Sequence, residues 1–255
     1  MLNPVNRFKA ALREGTQQVG VWNSIGGNTA CEILATAGFD WVLVDTEHAA
    51  TSTAEVLPAL QTIAGYPRVS AVVRPASNDH VTIKRLLDMG AQSLLIPYVQ
   101  SPDEARAAVA AMRYAPRGIR GMAGVMRASR FGAVADYATT VEDQLCLIVQ
   151  VETIEAMKHL EAIAQVDGVD GVFIGPADLS ASMGLPGQTG HPDVVAVIDD
   201  AIDRLSAIGV PSGILSLDNA KTKRLMERGI RFTAAGVDSA LLATAARGLR
   251  AAFDT

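Results

Sequence analysis

The sequence predicts one (β/α)8 barrel spanning residues 1–255. Three observations carry that prediction. Eight short apolar runs recur along the chain, each followed by a helix-like segment. They are mostly continuous rather than alternating, as in strands buried on both faces. Glycines stand where helices should hand over to strands. The length also suits eight β–α units, which occupy about 250 residues. An open doubly wound sheet is the alternative, but no Gly-x-Gly-x-x-Gly follows the first run.

The units come in order along the chain. Residues 18–22 (QVGVW) form the first strand, with a helix near 29–37. The second strand, 41–45 (WVLVD), leads to a helix over 52–64. The third, 70–73 (SAVV), leads to 79–89, and the fourth, 93–97 (SLLIP), to 102–112. The fifth, 145–151 (LCLIVQV), leads to 154–164. The sixth, 171–174 (GVFI), opens a long segment ending in a helix near 193–208. The seventh, 211–214 (PSGI), leads to 218–227, and the eighth, 231–235 (RFTAA), to 239–252. Gly38, Gly90, Gly209 and Gly229 fall where a left-handed helix cap is wanted. Ser101-Pro102-Asp103-Glu104 combines an N-cap, an N1 proline and an acidic first turn. Two connections exceed ordinary loops, 114–143 and 176–192. The first carries Arg117, Arg120, Arg127 and Arg130, which suit either a solvated basic loop or one that shapes a site for anionic substrates.

Composition narrows the function. With 49% hydrophobic and 19% charged residues, a disordered chain is excluded. A net charge of −5 argues against nucleic-acid binding. No apolar run approaches the ~18 residues of a membrane span. Residues 1–9 lack the apolar core of a signal peptide, so a cytoplasmic location is the default expectation. Cys31 and Cys146 have no partner motif, which excludes a disulfide scaffold and a thiolate zinc site.

In such a barrel the chemistry lies where strands end. Trp22-Asn23 closes the first strand, Asp45-Thr46-Glu47-His48 the second and Arg74-Pro75 the third. Gln150-Val151-Glu152 closes the fifth, Gly175-Pro176-Ala177-Asp178 the sixth, Leu215-Ser216 the seventh and Gly236-Val237-Asp238 the eighth. The fourth, ending in Pro97-Tyr98, is quiet. Ionisable groups gathered at one end are costly unless paired or metal-bound. Glu152 and Asp178 come from adjacent strands and would repel; a hard divalent cation such as Mg²⁺ or Mn²⁺, with Co²⁺ also admissible, would resolve the conflict. Alternatively each caps its following helix, Asp178 as an N-cap. Arg74 is either a salt-bridge partner or a donor aimed at oxyanion charge. His48 is the only strand-end histidine and a candidate general base, with Asp45 and Glu47 close enough to tune it. All five lysines (Lys9, Lys84, Lys158, Lys221, Lys223) fall in helical segments, leaving no Schiff-base nucleophile at a strand end. No Gly-x-Ser-x-Gly elbow or P-loop is present.

Eight short segments together carry a resemblance. Asp45-Thr46-Glu47-His48-Ala49, Arg74-Pro75, Leu86–Gln92 (LLDMGAQ), Leu95-Ile96-Pro97, Gly118–Gly121 (GIRG), Arg127–Phe131 (RASRF), Gln150-Val151-Glu152 and Ile174–Ser180 (IGPADLS) occur in this order over nearly the whole chain. The chain thereby resembles the HpcH/HpaI aldolase family, metal-dependent (class II) pyruvate aldolases that include 4-hydroxy-2-oxoheptanedioate and 2-dehydro-3-deoxyglucarate aldolases. The resemblance implies Glu152 and Asp178 as metal ligands and Gln150, Gly175, Pro176 and Ala177 as substrate contacts, Ala177 through its backbone. It implies His48 as proton acceptor, Arg74 as transition-state arginine and Asp88 as an acid that raises the histidine's basicity. Trp22 and Leu215 would meet the aldehyde. Asp88 fits poorly in one chain: it belongs near a helix C-terminus, at the opposite end of a barrel, and Asp45 is its rival for tuning His48. Ala50, residues 24–28 and residues 124–126 depart from the family pattern around the expected mouth, which leaves substrate choice open.

The expected reaction is reversible cleavage of a 4-hydroxy-2-oxo acid to pyruvate, or a related 2-oxo acid, and an aldehyde. Claisen-type cleavage of a CoA thioester, as in citrate lyase β-like proteins, and a non-catalytic barrel that binds a 2-oxo acid are the alternatives. The resemblance also implies a homo-oligomer, a hexamer built as a trimer of dimers with exchanged C-terminal helices. Residues 241–253, rich in alanine and leucine, need a surface to bury against, if not on their own barrel then on another.

Overall fold

Eight parallel strands close into a ring in sequence order, with β8 pairing back onto β1. The computed structural model describes residues 1–253. The strands are β1 (Gln18–Asn23), β2 (Trp41–Asp45), β3 (Ser70–Arg74), β4 (Ser93–Ile96), β5 (Cys146–Val151), β6 (Gly171–Ile174), β7 (Ser212–Leu215) and β8 (Phe232–Val237). The helices are α1 (Arg7–Arg13), α2 (Asn28–Thr36), α3 (Val56–Ile63), α4 (His80–Asp88), α5 (Pro102–Met112), α6 (Tyr137–Thr140), α7 (Ile154–Met157), α8 (Leu160–Ala164), α9 (Pro176–Ser182), α10 (Pro192–Ala207), α11 (Asn219–Glu227) and α12 (Asp238–Ala251). The (β/α)8 prediction holds, and the open-sheet alternative falls with the β1–β8 pairing. The helix expected over 154–164 is broken into α7 and α8, and the start of that expected over 52–64 is a 3-10 turn, Thr53–Glu55. The four junction glycines all adopt positive φ, between +71° and +117°, as the caps require.

Strand parity sorts the side chains into two cores. One parity (Val42, Val44, Val73, Leu94, Val149, Val172, Ile214) packs under the helices. The other (Trp22, Trp41, Leu43, Val72, Leu95, Ile148, Phe173, Phe232) fills the barrel. Large and small residues alternate across that interior. A Cβ on Gly20 would stand 2.1 Å from the Trp41 ring, and one on Gly213 would stand 2.1 Å from the Phe232 ring. Those two glycines therefore make room for the aromatics.

The sequence reading missed α1, which closes the N-terminal end. Phe8 and Leu12 are buried, and the Phe8 ring meets Trp41 at 5.8 Å and Phe232 at 5.7 Å, both edge-on. Asn6 caps the helix by accepting from the Lys9 amide (3.0 Å) and donates its own amide to Ser93 Oγ (2.9 Å). Lys9 pairs with Asp170 at 3.2 Å.

Residues 113–145 connect α5 to β5 and so lie at this same closed end. The arginine-bearing segment therefore does not shape the mouth of its own barrel. Arg117 pairs with Glu142 and Arg120 with Asp88, while Arg127 donates to the Met89 carbonyl. At the other extreme α12 does not settle on its barrel: only Asp238 is buried, and Leu241, Leu242 and Leu249 are exposed. No helix among the described residues is long and apolar enough to cross a membrane.

This packing sets two expected outcomes. Phe8→Ala removes the floor of the aromatic stack and should cost about 3–5 kcal/mol in denaturant unfolding. The second concerns α8 and α10, tied by Arg204, which donates through Nε to Glu161 Oε1 (2.6 Å) and through Nη2 to Oε2 (2.5 Å). The Arg204 hydrogen bonds outweigh desolvation and bring Glu161 down to about 2. A lowered carboxylate stabilises the fold above its unfolded pKa and loses that contribution as pH falls through the folded value. The Tm advantage of the wild type over Glu161→Gln should thus be full above about pH 4.5 and vanish towards about pH 2.

Candidate active site

The parity that fills the barrel also aims its polar residues inward. Asp45 continues the series Trp41, Leu43; Arg74 follows Val72; Gln150 and Glu152 follow Ile148. At the strands' C-terminal ends these side chains are no longer covered by the aromatic layers, so the interior turns polar there.

Arg74 is the hub. Its Nε donates to Asp45 Oδ1 (2.8 Å) and its Nη2 to Asp45 Oδ2 (2.7 Å), while Nη1 lies 2.7 Å from Glu47 Oε2. The guanidinium sits 5.0 Å from the Trp22 ring centroid. Burial pushes the Asp45 carboxyl up, but the Arg74 hydrogen bonds and charge outweigh it and hold it below the usual range, helped by the Glu47 amide and Trp22. Glu47 ends above its ordinary value: burial, with the Asp45 and Asp178 charges, prevails over Arg74 and His48.

Glu152 has no such cation. Its Oε1 accepts from the Tyr98 amide (3.0 Å) and its Oε2 from the Gln150 side chain. Burial first, then the charges of Asp178 and Glu47, push it up to about 7 despite those hydrogen bonds. Asp178 stands in the first turn of α9, exposed at the mouth. It is not the N-cap: that position is Gly175, and no side chain caps the helix. Gly175 must be glycine, since a Cβ there would lie 2.3 Å from Glu152 Oε2. Pro176 and Ala177 are the first two residues of α9, half-buried and exposed.

His48 is exposed, with Nε2 3.9 Å from Glu47 Oε2. Its neighbour is therefore Glu47. Asp45, one of the two expected tuning residues, is committed to Arg74. The other, Asp88, lies at the closed end, where it accepts from Arg120 Nη2 (2.8 Å), and does not meet His48 within one chain. The Arg120 guanidinium is buried against the rings of Tyr114 (4.6 Å) and Tyr137 (5.8 Å). Trp22 and the half-buried Leu215 belong to the top of the inner core, Trp22 4% exposed. His80 and His159 are exposed and His191 half-buried, away from strand ends as expected.

The sequence reading missed Tyr98. It adopts φ +54°, and that left-handed backbone accompanies the amide's approach to Glu152. A side-chain motif carries no trace of such a contact, and the non-glycine position hides the conformation.

The donor set suits a divalent cation. Burial and the Asp178 charge disfavour ionisation of Glu152, with no cation to offset them, and Gln150 Oε1 is buried with no hydrogen-bond partner among the described residues. No group of three His, Cys, Asp or Glu residues surrounds one point among the described residues. An ion here would therefore take two protein carboxylates and keep its remaining positions for water or ligand, as hard cations do.

A family model for HpcH/HpaI aldolase/citrate lyase matches residues 18–245. The chain belongs to this family. It is 58% identical over 252 residues to a pyruvate aldolase of Rhizobium etli, covering 99% of both chains. It is 56% identical over 248 residues to a hydroxypyruvate/pyruvate aldolase of Sagittula stellata, covering 97% of this chain and 98% of that one. Among solved structures, an HpcH/HpaI aldolase/citrate lyase family protein from Burkholderia cenocepacia superposes with a TM-score of 0.94 at 36% identity, covering 98% of this chain and all of that one. The aldolase expectation set by the sequence stands.

The Arg74 network yields a stability test. Arg74→Ala strips two carboxylates of their cation and should cost about 3–5 kcal/mol in denaturant unfolding, as broken buried pairs do. Adding Asp45→Asn should recover part of that loss.

Proposed function

We propose that the chain is a divalent-metal-dependent aldolase that reversibly cleaves 4-hydroxy-2-oxo acids into pyruvate, or a related 2-oxo acid, and an aldehyde. The observation that carries this reading is Glu152, buried, within electrostatic reach of Asp178 and raised to about 7, with no lysine at any strand end to offer amine chemistry. Glu152 and Asp178 would hold Mg²⁺, Mn²⁺ or Co²⁺. When bound, the ion supplies Lewis-acid polarisation of the substrate's oxo group.

The chain's own residues do the rest. Arg74, fixed on three sides by Asp45 and Glu47, lends positive charge to the oxygen on which enolate charge develops. Gln150 keeps a free acceptor in the pocket, and the Gly175–Ala177 turn offers backbone contacts to the oxo acid. In cleavage His48, with Glu47 as its near carboxylate, takes the proton of the C4 hydroxyl as the C3–C4 bond breaks, the released pair becomes the enolate, and a proton added at C3 completes pyruvate; addition runs the same steps in reverse. Trp22 and Leu215 wall the aldehyde end. Asp88 can raise the basicity of His48 only from a second copy of the chain, which fits a homo-oligomer, and a hexamer is the form the family resemblance favours. The exposed leucines of α12 suit the same arrangement.

The reading is tested with a panel of aldehydes and pyruvate, with and without Mg²⁺, Mn²⁺ and Co²⁺. Turnover should disappear after chelation and dialysis and return with one of these ions. Glu152→Gln and Asp178→Asn should each weaken Mn²⁺ binding by calorimetry and lower kcat by at least about 10²-fold, with the fold retained. Full turnover in the chelated protein would overturn the metal assignment.

A further inference from the structure

Opposite the acidic pair, one carboxylate fastens the mouth of the barrel. Asp238 opens α12 and is the only buried residue of that helix. Its Oδ1 accepts from the Ser24 amide (2.9 Å), the Ser24 hydroxyl (2.9 Å) and the Ser239 amide (2.7 Å). Its Oδ2 accepts from the Asn23 side-chain amide (2.8 Å), and the Ile25 amide lies 3.2 Å from both oxygens. The Ser24 and Ser239 hydroxyls are also bonded, at 2.8 Å. Capping α12 would need only a donor from its own first turn. Here most donors belong to the loop after β1, more than 200 residues away in sequence.

That loop turns on two glycines. Gly26 and Gly27 both take positive φ, +75° and +74°. Gly26 is pressed against the segment beyond His48, where a Cβ would stand 2.6 Å from Thr51 Oγ1. Contacts thus run from Asp238 through residues 23–25 to Gly26, and on to Thr51, three residues beyond His48. In a ring of eight strands β1 stands across from β5. A 2-oxo acid bound near Glu152 on β5 therefore faces the β1 loop across the cavity, and its reaction partner must enter between them.

We propose that Asp238 is a positioning residue for the aldehyde half of the reaction. By clasping residues 23–27 it fixes the wall against which the aldehyde is placed, and it steadies the His48 segment. This rests on the aldolase reading above. The carboxylate's hydrogen bonds run to residues 23–25 and Ser239, on the β1 side of the barrel, so its loss should separate the two half-reactions.

The test uses the full chain loaded with Mn²⁺ and two readouts. Exchange of the pyruvate C3 protons with deuterated water, followed by NMR, needs only the oxo-acid half. Addition kinetics with varied aldehyde need both halves. Asp238→Ala should keep exchange within about twofold and lose about 10²-fold in kcat/KM for the aldehyde, the scale of a misplaced reactant. Asp238→Asn should restore most of the loss, because the Asn23 amide can turn to accept from it. Gly26→Ala displaces the same loop without touching Asp238. It should repeat the selective loss, and it decides the matter alone if Asp238→Ala does not fold. Equal loss of exchange and addition in these variants, or no loss of either, would overturn the clasp. A wild-type chain without exchange would instead sink the aldolase reading beneath it.

Discussion

One guanidinium answers for two carboxylates at the mouth of this barrel, and a third is left without a cation. Arg74 spends its donors on Asp45 and Glu47. Glu152 is buried a few strands away, among neutral donors and like charges, and is driven up to about 7. A barrel selected for stability alone would not keep that arrangement, since an apolar side chain would fill the space without the desolvation cost. The imbalance is what supports the cation proposed for Glu152 and Asp178, and it bears on the kind of ion. A lysine or arginine there would neutralise the pair but leave no open positions. A divalent ion neutralises it and still has positions to offer an oxo acid.

The rest of the interior keeps that imbalance in place. Phe8, Trp41, Phe173 and Phe232 stack from the floor upward, with Gly20 and Gly213 yielding space to them. The stack ends at Trp22, whose ring lies against Arg74. Above it the strand-end side chains converge on one cavity because their parity leaves them no other direction. Gly175 then lets the β6 turn approach Glu152 more closely than any Cβ would allow. The polar site therefore depends on apolar packing in a direct sense: the aromatic layers set the height at which the barrel stops being dry.

Much of this is legible in the sequence. Continuous apolar runs mark all eight strands, because strands covered on both faces have no polar side to show. The polar residues at the C-terminal end of each run include Arg74, Glu152 and Asp178. The features that escape have no side-chain signature. α1 buries two large apolar side chains, Phe8 and Leu12, with Lys9 between them, and its role as a floor emerges only when the ring closes. The Tyr98 contact is made by a backbone amide. Glu47 is visible in the sequence as a neighbour of His48, but its ion pair with Arg74 depends on how far the chain turns after β2. The segment around Arg117–Arg130 reads as a possible shaper of an anionic-substrate site and does not line the mouth of its own barrel, since element order puts an α-to-β connection at the opposite end.

The two ends of the barrel then differ in what they ask of a partner. At the closed end Asp88 is held by Arg120, itself enclosed by Tyr114 and Tyr137, so its carboxylate is fixed in direction and only partly covered. At the open end His48 projects into solvent with one carboxylate beside it. The substrate class proposed here is anionic, and it must enter a mouth that already holds Asp45, Glu47, Glu152 and Asp178 against Arg74. Without a cation on the Glu152 side, each added carboxylate would meet net repulsion in a poorly screened cavity. On the proposed reading, the cation would therefore ease substrate binding as well as supply Lewis acidity. That charge argument favours the ion before the anionic oxo acid in the proposed reaction, with the β1 loop on the far side of the cavity.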